Sequence, residues 1–265
     1  MYAFDYQRPA SRDAATAAVT GGDTRYLAGG QSLIQAMRLR LSQSERLVDL
    51  GGIADLRGIE ADGDGVKIGA MATHAAVSAH ADVKRLLPGL AELAGGIGDP
   101  MVRNMGTIGG SVANADPAAC YPAAVLALNA TIHTDRRTIE GEVFFTGLYE
   151  TALQPGELIT ALRFPALQRA AYIKYKQQAS RFALVGVFVA QTPHGVRVAV
   201  TGAKGHVFRA TPIEDALSKD FTPEAAKAVR MPIADINGDL HGSAEYRAAM
   251  ISVIASRVVA KILAR

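Results

Sequence analysis

The sequence predicts an α+β fold, and three observations carry the prediction. Short helix and strand signals alternate as far as Pro165. Three strand signals then follow one another, Ala171 to Gln177, Ala183 to Gln191 and Gly195 to Thr201, with only short turns between them. That succession is a meander, not βαβ alternation. The chain closes on a long helical segment that Ser243 is placed to cap, with Tyr246, Met250, Ile254, Val258 and Leu263 near one stripe.

In chain order, Asp13 to Thr20 reads as a short helix and Arg25 to Leu27 as a strand running into Ala28-Gly29-Gly30. Leu33 to Leu41 carries Leu33, Met37 and Leu41 on one helical face. Arg46 to Leu50 and Gly65 to Met71 read as strands. Thr73 caps a helix over Ala75 to Ala81, and a further helix covers Val83 to Leu93, interrupted at Pro88-Gly89 and ended by Gly95-Gly96. From Ile97 to Pro117 no single period fits; long irregular stretches inside compact domains tend to be functional. Ala123 to Leu128 reads as a helix, and Ala130 to Thr134 and Leu158 to Phe164 as strands. A domain boundary falls near Pro165 to Arg169. Thr222 to Val229 reads as a helix.

Composition excludes several classes. The 265 residues have a net charge of +3, with Lys and Arg scattered, so no nucleic-acid footprint is present. One cysteine, Cys120, cannot form an internal disulfide or hold an iron–sulfur cluster, which needs four ligands, mostly Cys. The six His show no HExxH and no close ligand spacing, so no metal site is expected. The opening MYAFDYQRP lacks the apolar core of a signal peptide, and Phe182 to Ala190 is too short to cross a bilayer as a helix, so no transmembrane segment is expected. The cytoplasm is the expected compartment, with export as the passenger of a signal-bearing partner left open.

Two glycine segments carry the functional reading. Ala28-Gly29-Gly30-Gln31-Ser32-Leu33 joins a strand to a helix. Successive N–H groups in such a turn form a concave anion site, and the following helix N-terminus adds partial positive charge. A pyrophosphate suits it; a tight turn that binds nothing is the alternative. Thr107-Ile108-Gly109-Gly110-Ser111 is the second segment, and two of them in one chain fit a long diphosphate touched from both sides. Neither is G-x-G-x-x-G, and there is no GxxxxGK[ST], so the nicotinamide fingerprint and the P-loop are both absent.

The segments LAGGQSL and RNMGTIGGSVANADP, with FDYQRP, RLVDLGGIADLRGI, VKIGAMATH, PGELITALRFP and the closing AEYRAAM, resemble the FAD-binding medium subunits of molybdenum hydroxylases. Relatives include carbon monoxide dehydrogenase and the FAD domain of xanthine dehydrogenase. The resemblance covers nearly the whole chain. It implies a PCMH-type FAD-binding domain over 1–166, made of two α/β subdomains at about 1–55 and 56–166 joined at Gly52 to Gly58. A C-terminal domain of antiparallel sheet and helices over 170–265 follows.

By position, the resemblance places Leu27, Ala28, Gly29, Gly30, Gln31, Ser32 and Leu33 around the FAD diphosphate. Thr107, Gly109, Gly110, Ser111, Asn114 and Asp116 line its other side. Ile97 and Gly98 lie against the isoalloxazine ring, Ile159 packs near the adenine or the ring, and Lys176 reaches the flavin or its phosphates. Ile97 and Ile159 also suit a core, and Lys176 a solvated strand. Where many relatives carry Asp, four residues after Asp116, Cys120 stands, and a thiol is a weak donor and acceptor. Ser180-Arg181-Phe182 replaces an acidic loop of xanthine dehydrogenase, which puts NAD as acceptor in doubt.

The implied role is electron transfer. A large molybdopterin-binding subunit hydroxylates the substrate and a small subunit carries two 2Fe-2S clusters. FAD in this chain passes the electrons to an external acceptor, and the three chains are doubled by a two-fold axis. No residue is expected to be catalytic. Carbon monoxide, aldehydes, purines and N-heterocycles remain open as substrates. Two other readings are a stand-alone flavin oxidoreductase with its own substrate pocket and a flavin-free assembly subunit.

Overall fold

The computed structural model describes residues 1–19 and 22–265 of the chain. Strands β1 (Asp5–Gln7), β2 (Thr24–Leu27) and β3 (Arg46–Asp49) form a small parallel sheet with β3 in the middle, its connections carrying helices α1 (Arg12–Ala18) and α2 (Leu33–Arg38). Ser11 caps α1 by accepting from the Ala14 N–H at 3.2 Å. The helix expected over Asp13 to Thr20 thus starts one residue earlier and ends at Ala18; Thr20 lies outside the described residues. β2 runs straight into the first glycine segment, as its sequence suggests.

Two single 3-10 turns, Leu50–Gly52 and Ala54–Leu56, lead into the next unit. Val48, Leu50, Ile53 and Leu56 form the seam there with Met71 and Leu158. The second sheet is antiparallel. It contains β4 (Ile59–Asp62), β5 (Gly65–Gly69), β6 (Thr131–Thr134) and β7 (Thr138–Glu140); after the hairpin β8 (Phe145–Gly147) and β9 (Glu150–Thr151) comes its central strand β10 (Ile159–Pro165). Leu162 of β10 sits between Ile68 and Ile132, all three fully buried.

Six helices lie between β5 and β6: α3 (His74–Ala79), α4 (Ala81–Leu86), α5 (Pro88–Gly95), α6 (Pro100–Met105), α7 (Ile108–Asn114) and α8 (Tyr121–Ala127). Thr73 caps α3 as expected, accepting from Ala76. Pro88 starts a new helix rather than kinking an old one. The stretch from Ile97 to Pro117 corrects an expectation, because it contains α6 and α7. Asp99 accepts from the Val102 N–H and Thr107 from the Gly110 N–H, so side-chain caps hold two short helices whose Gly and Asn content hides them.

The last unit is the expected meander, β11 (Ala170–Lys176), β12 (Ala183–Thr192) and β13 (Gly195–Thr201), extended by β14 (Phe208–Arg209), then α9 (Thr211–Lys219), α10 (Pro223–Ala228) and α11 (Ala244–Leu263). β12 is apolar on both faces because both are covered. Phe188 and Ala190 belong to the core shared with α5 and α8, whereas Val185, Val187 and Val189 belong to the core under α9, α10 and α11. Ser243 caps α11, but its buried stripe is Ile251, Ile254, Ala255, Val258 and Ile262. Tyr246 and Leu263 are exposed, correcting the sequence stripe; Tyr246 packs edge-on against Tyr175 instead.

Candidate cofactor-binding cleft

One cleft of about 420 Å³ runs between the small parallel unit, helices α6 and α7 with the turn that leads to Cys120, and the tip of the meander, a volume usual for a cofactor site. The first glycine segment forms one wall. Among the described residues, the backbone N–H groups of Gly29, Gly30, Gln31 and Ser32 have no protein acceptor. Gly30 adopts φ +70°, which a side chain would strain. Gln31 turns its amide back onto the Gly29 carbonyl at 3.3 Å. The helix that follows has six residues, so these free N–H groups, more than a helix dipole, make the wall anion-seeking.

The second segment works differently from the first. Its N–H groups are engaged: Ile108 donates to Ala72, Gly109 to Ala70, and Ser111 to the Thr107 carbonyl. What it offers the cleft is side chains, since the Ser111 hydroxyl and the Asn114 amide have no partner among the described residues. Its glycines permit close approach. A Cβ on Gly109 would lie 2.5 Å from the Ala70 Cβ, and one on Gly110 3.2 Å from the Ala28 Cβ. A Cβ on Gly29 would lie 2.1 Å from the Met105 carbonyl oxygen. The two walls therefore meet backbone to backbone.

At one end of the cleft, Ile97 and Gly98 meet Arg181 and Phe182. Gly98 has φ +48°, and its carbonyl accepts from Arg103 at 3.2 Å and Arg181 at 3.4 Å. Asp116 lies nearby, accepting from the Ala118 N–H at 2.8 Å and from the Tyr149 hydroxyl; burial raises its carboxyl above the usual range. Cys120 is buried in the wall with the Lys174 ammonium 3.4 Å from its sulfur. His74 lines the floor, almost fully buried. Burial and the Arg103 charge hold its pKa down at about 4, so the ring is neutral, and its Nδ1 has no partner. At the other end Glu157 accepts from Arg137 at 3.0 Å, Thr134 at 2.8 Å and the Gln154 N–H at 2.7 Å, which lowers its pKa to about 2.

The cleft brings together every residue the sequence singles out from Leu27 to Leu33, with Ile97, Gly98, Thr107, Gly109, Gly110, Ser111, Asn114, Asp116 and Ile159. Lys176 is the exception. It is exposed and outside the lining, whereas Lys174 faces in. The register of β11 against β12 shifts between Tyr175 and Lys176, so the alternation that would keep 174 and 176 on one face fails there. Ile159 is both core and lining, so its two readings coexist. His74, Glu157 and Lys174 were missed. Only Lys174 had a sequence signal, its place two residues after Tyr172 in an alternating strand.

Fold and cleft are those of an α+β cofactor-binding protein. The family model described as "FAD binding domain in molybdopterin dehydrogenase" matches residues 2–167. The nicotine 6-hydroxylase medium subunit of Paenarthrobacter nicotinovorans is 35% identical, with 99% of this chain and 98% of that protein covered. The carbon monoxide dehydrogenase medium chain of Hydrogenophaga pseudoflava is also 35% identical, with the same coverages of 99% and 98%. Among solved structures, reconstituted CO dehydrogenase from Oligotropha carboxidovorans superposes with a TM-score of 0.91 at 35% identity, covering 100% of this chain and 99% of that one. Quinoline 2-oxidoreductase from Pseudomonas putida 86 gives 0.89 at 28%, covering 98% and 97%. The chain belongs to the family of FAD-binding medium subunits of molybdenum hydroxylases, and it is a flavoprotein subunit of an oxidoreductase. Among the described residues, no helix is long and apolar enough to cross a membrane.

Proposed function

We propose that this chain holds FAD along the cleft and relays electrons from iron–sulfur clusters of a small subunit to an external acceptor, within an assembly whose large subunit carries the molybdenum cofactor. The observation that carries the reading is the row of unpartnered N–H groups from Gly29 to Ser32, facing the Ser111 and Asn114 side chains across a glycine-lined gap. FAD supplies chemistry that the side chains lack, exchanging electrons singly with clusters and in pairs with an acceptor. The chain's own residues bind and orient. The N–H row takes the diphosphate charge without a lysine. Ser111 and Asn114 give hydrogen bonds from the facing wall. Ile97, Gly98 and Phe182 offer the flat, largely apolar end that suits a tricyclic ring. Neutral His74 adds no charge to the floor of the cleft.

In this reading the division at 166 to 170 separates the diphosphate walls from a meander that closes the ring end through Lys174, Arg181 and Phe182. The assembly is a heterotrimer doubled by a two-fold axis, in the cytoplasm. The large subunit sets the substrate, among CO, aldehydes, purines and N-heterocycles. The test is a visible spectrum of the purified chain with added FAD, then chromatography of the flavin released on denaturation. About one FAD per chain supports the reading. No flavin on the chain or on the co-purified complex refutes it.

A further inference from the structure

Lys174 is a half-buried ammonium inside the cleft, and among the described residues it belongs to no ion pair. Its one hydrogen-bond partner is the Cys120 sulfur at 3.4 Å. The neighbours of that sulfur do not supply an anion either. Tyr172, whose hydroxyl lies 3.5 Å from the Thr201 hydroxyl, is a neutral phenol in the same buried strand, next to the thiol. Arg103 and Arg181 give N–H groups to the carbonyls of Ile97 and Gly98, and Arg137 is paired with Glu157; among the described residues, Lys174 has neither a carbonyl nor a carboxylate. The nearest acid along the wall, Asp116, is tied to Ala118 and Tyr149. A half-buried ammonium with only a thiol for a partner is a place where an arriving negative charge is stabilised.

Its position says what arrives. The Ala183 N–H donates to the Ala118 carbonyl at 3.3 Å, which fastens the strand beside Phe182 to the turn before Cys120. Arg181 reaches Gly98 from the same strand end. Lys174 and Cys120 therefore line the cleft beside the strand end that carries Arg181 and Phe182. The negative charge expected at that end is on the ring. When an isoalloxazine takes up two electrons and one proton, from whatever one-electron donor precedes it, it carries one negative charge. A fixed cation beside the ring favours that reduced form.

We infer that Lys174, left without a carboxylate because residue 120 is a cysteine, is the positioning charge that raises the reduction potential of the flavin in this chain. The inference rests on FAD occupying the cleft, and the experiment separates the two. FAD content is measured first on the wild-type chain, then the midpoint potential by reductive titration against a reference dye for wild type, Lys174→Gln, Lys174→Arg, Cys120→Asp and Cys120→Ser. Lys174→Gln is expected to lower the reduced-to-oxidised ratio at a fixed potential about tenfold, a downward shift of about 30 mV for a two-electron couple. Cys120→Asp, which leaves the lysine in place and pairs it, shifts the potential down in the same direction. Lys174→Arg and Cys120→Ser stay close to wild type. Should Lys174→Gln lose its flavin, Lys174→Met, which keeps the reach of the side chain without its charge, takes its place. A flavin-loaded Lys174→Gln or Lys174→Met with the wild-type potential overturns the role of Lys174 only. Wild-type chain that takes up no flavin overturns the parent reading, and this inference with it.

Discussion

Gly29 stands where the two walls of the cleft touch, and alanine there meets backbone, not a side chain that can swing away. Its Cβ would fall 2.1 Å from the Met105 carbonyl oxygen and 2.7 Å from the Gly106 Cα, where ordinary contact begins at 3.4 Å. The gap has to open by about 1.3 Å, the difference between the first and last of those distances. Overpacking of this kind costs about 1–3 kcal/mol of stability. It also displaces the N–H row from Ser111 and Asn114, and losing one hydrogen bond to a charged ligand group costs about 1.5–3 kcal/mol, on the order of 10- to 100-fold in affinity. The assay is FAD binding to the apo chain by quenching of flavin fluorescence, with thermal unfolding run in parallel. Gly58→Ala is the control, since nothing lies within 4 Å of its added Cβ. Gly29→Ala is expected to fold, to lose a few degrees of Tm, and to bind FAD about 10- to 100-fold more weakly. A folded Gly29→Ala chain with wild-type affinity would refute the apposition of the two walls as the basis of binding.

His74 is neutral in the folded chain with a pKa of about 4 against 6.5 ordinarily, so the unfolded chain binds its proton first as pH falls. Stability from this group is complete above about pH 6.5 and is lost between there and pH 4, by at most about 3 kcal/mol; His74→Gln, followed by urea unfolding at stepped pH, should flatten that slope. Glu157 acts in a lower window. Its pKa of about 2 lies below the ordinary 4.5, so its contribution is whole above pH 4.5 and declines as pH falls through 2. Glu157→Gln should lower stability at pH 7 and weaken the remaining acid dependence below pH 4.5. Metal analysis of the purified chain should find no stoichiometric iron, because a cluster needs about four ligands, mostly Cys, and this chain has one Cys; bound iron at one cluster per chain would overturn the assignment of clusters to a partner.

The meander was legible because Val185, Val187 and Val189 sit in an unbroken apolar run bounded by turns, and a strand covered on both faces reads that way. The first glycine segment was legible because strand, glycines and helix follow directly. Helices α6 and α7 were not, since their stability comes from Asp99 and Thr107 caps and from contact with Ala70 and Ala72, none of which has a period. The irregular shift that turns Lys176 outward is equally silent, because the pairing partner that creates it is a strand away. The stripe of α11 drifted for a related reason: a helix packed against both a sheet and α10 is buried over a wider arc than one seam, so Arg247 and Ser252 go inside as well. His74 and Glu157 could not be found by pattern; their environments come from distant segments.

The sheet whose two faces feed two different cores makes the halves of this protein mutually dependent. Removing the chain beyond Pro165 would strip Phe188 and Ala190 from the core they share with α5 and α8, and would bare Leu90 and Tyr121, both now fully buried. Arg265 at the far terminus donates to the Ala170 carbonyl, and Lys261 and Arg265 both grip Glu92 of α5, so the last turn of the chain fastens the first half. Loosening α11 would therefore be felt at the flavin as readily as in its own core, and heat should melt the chain as one unit.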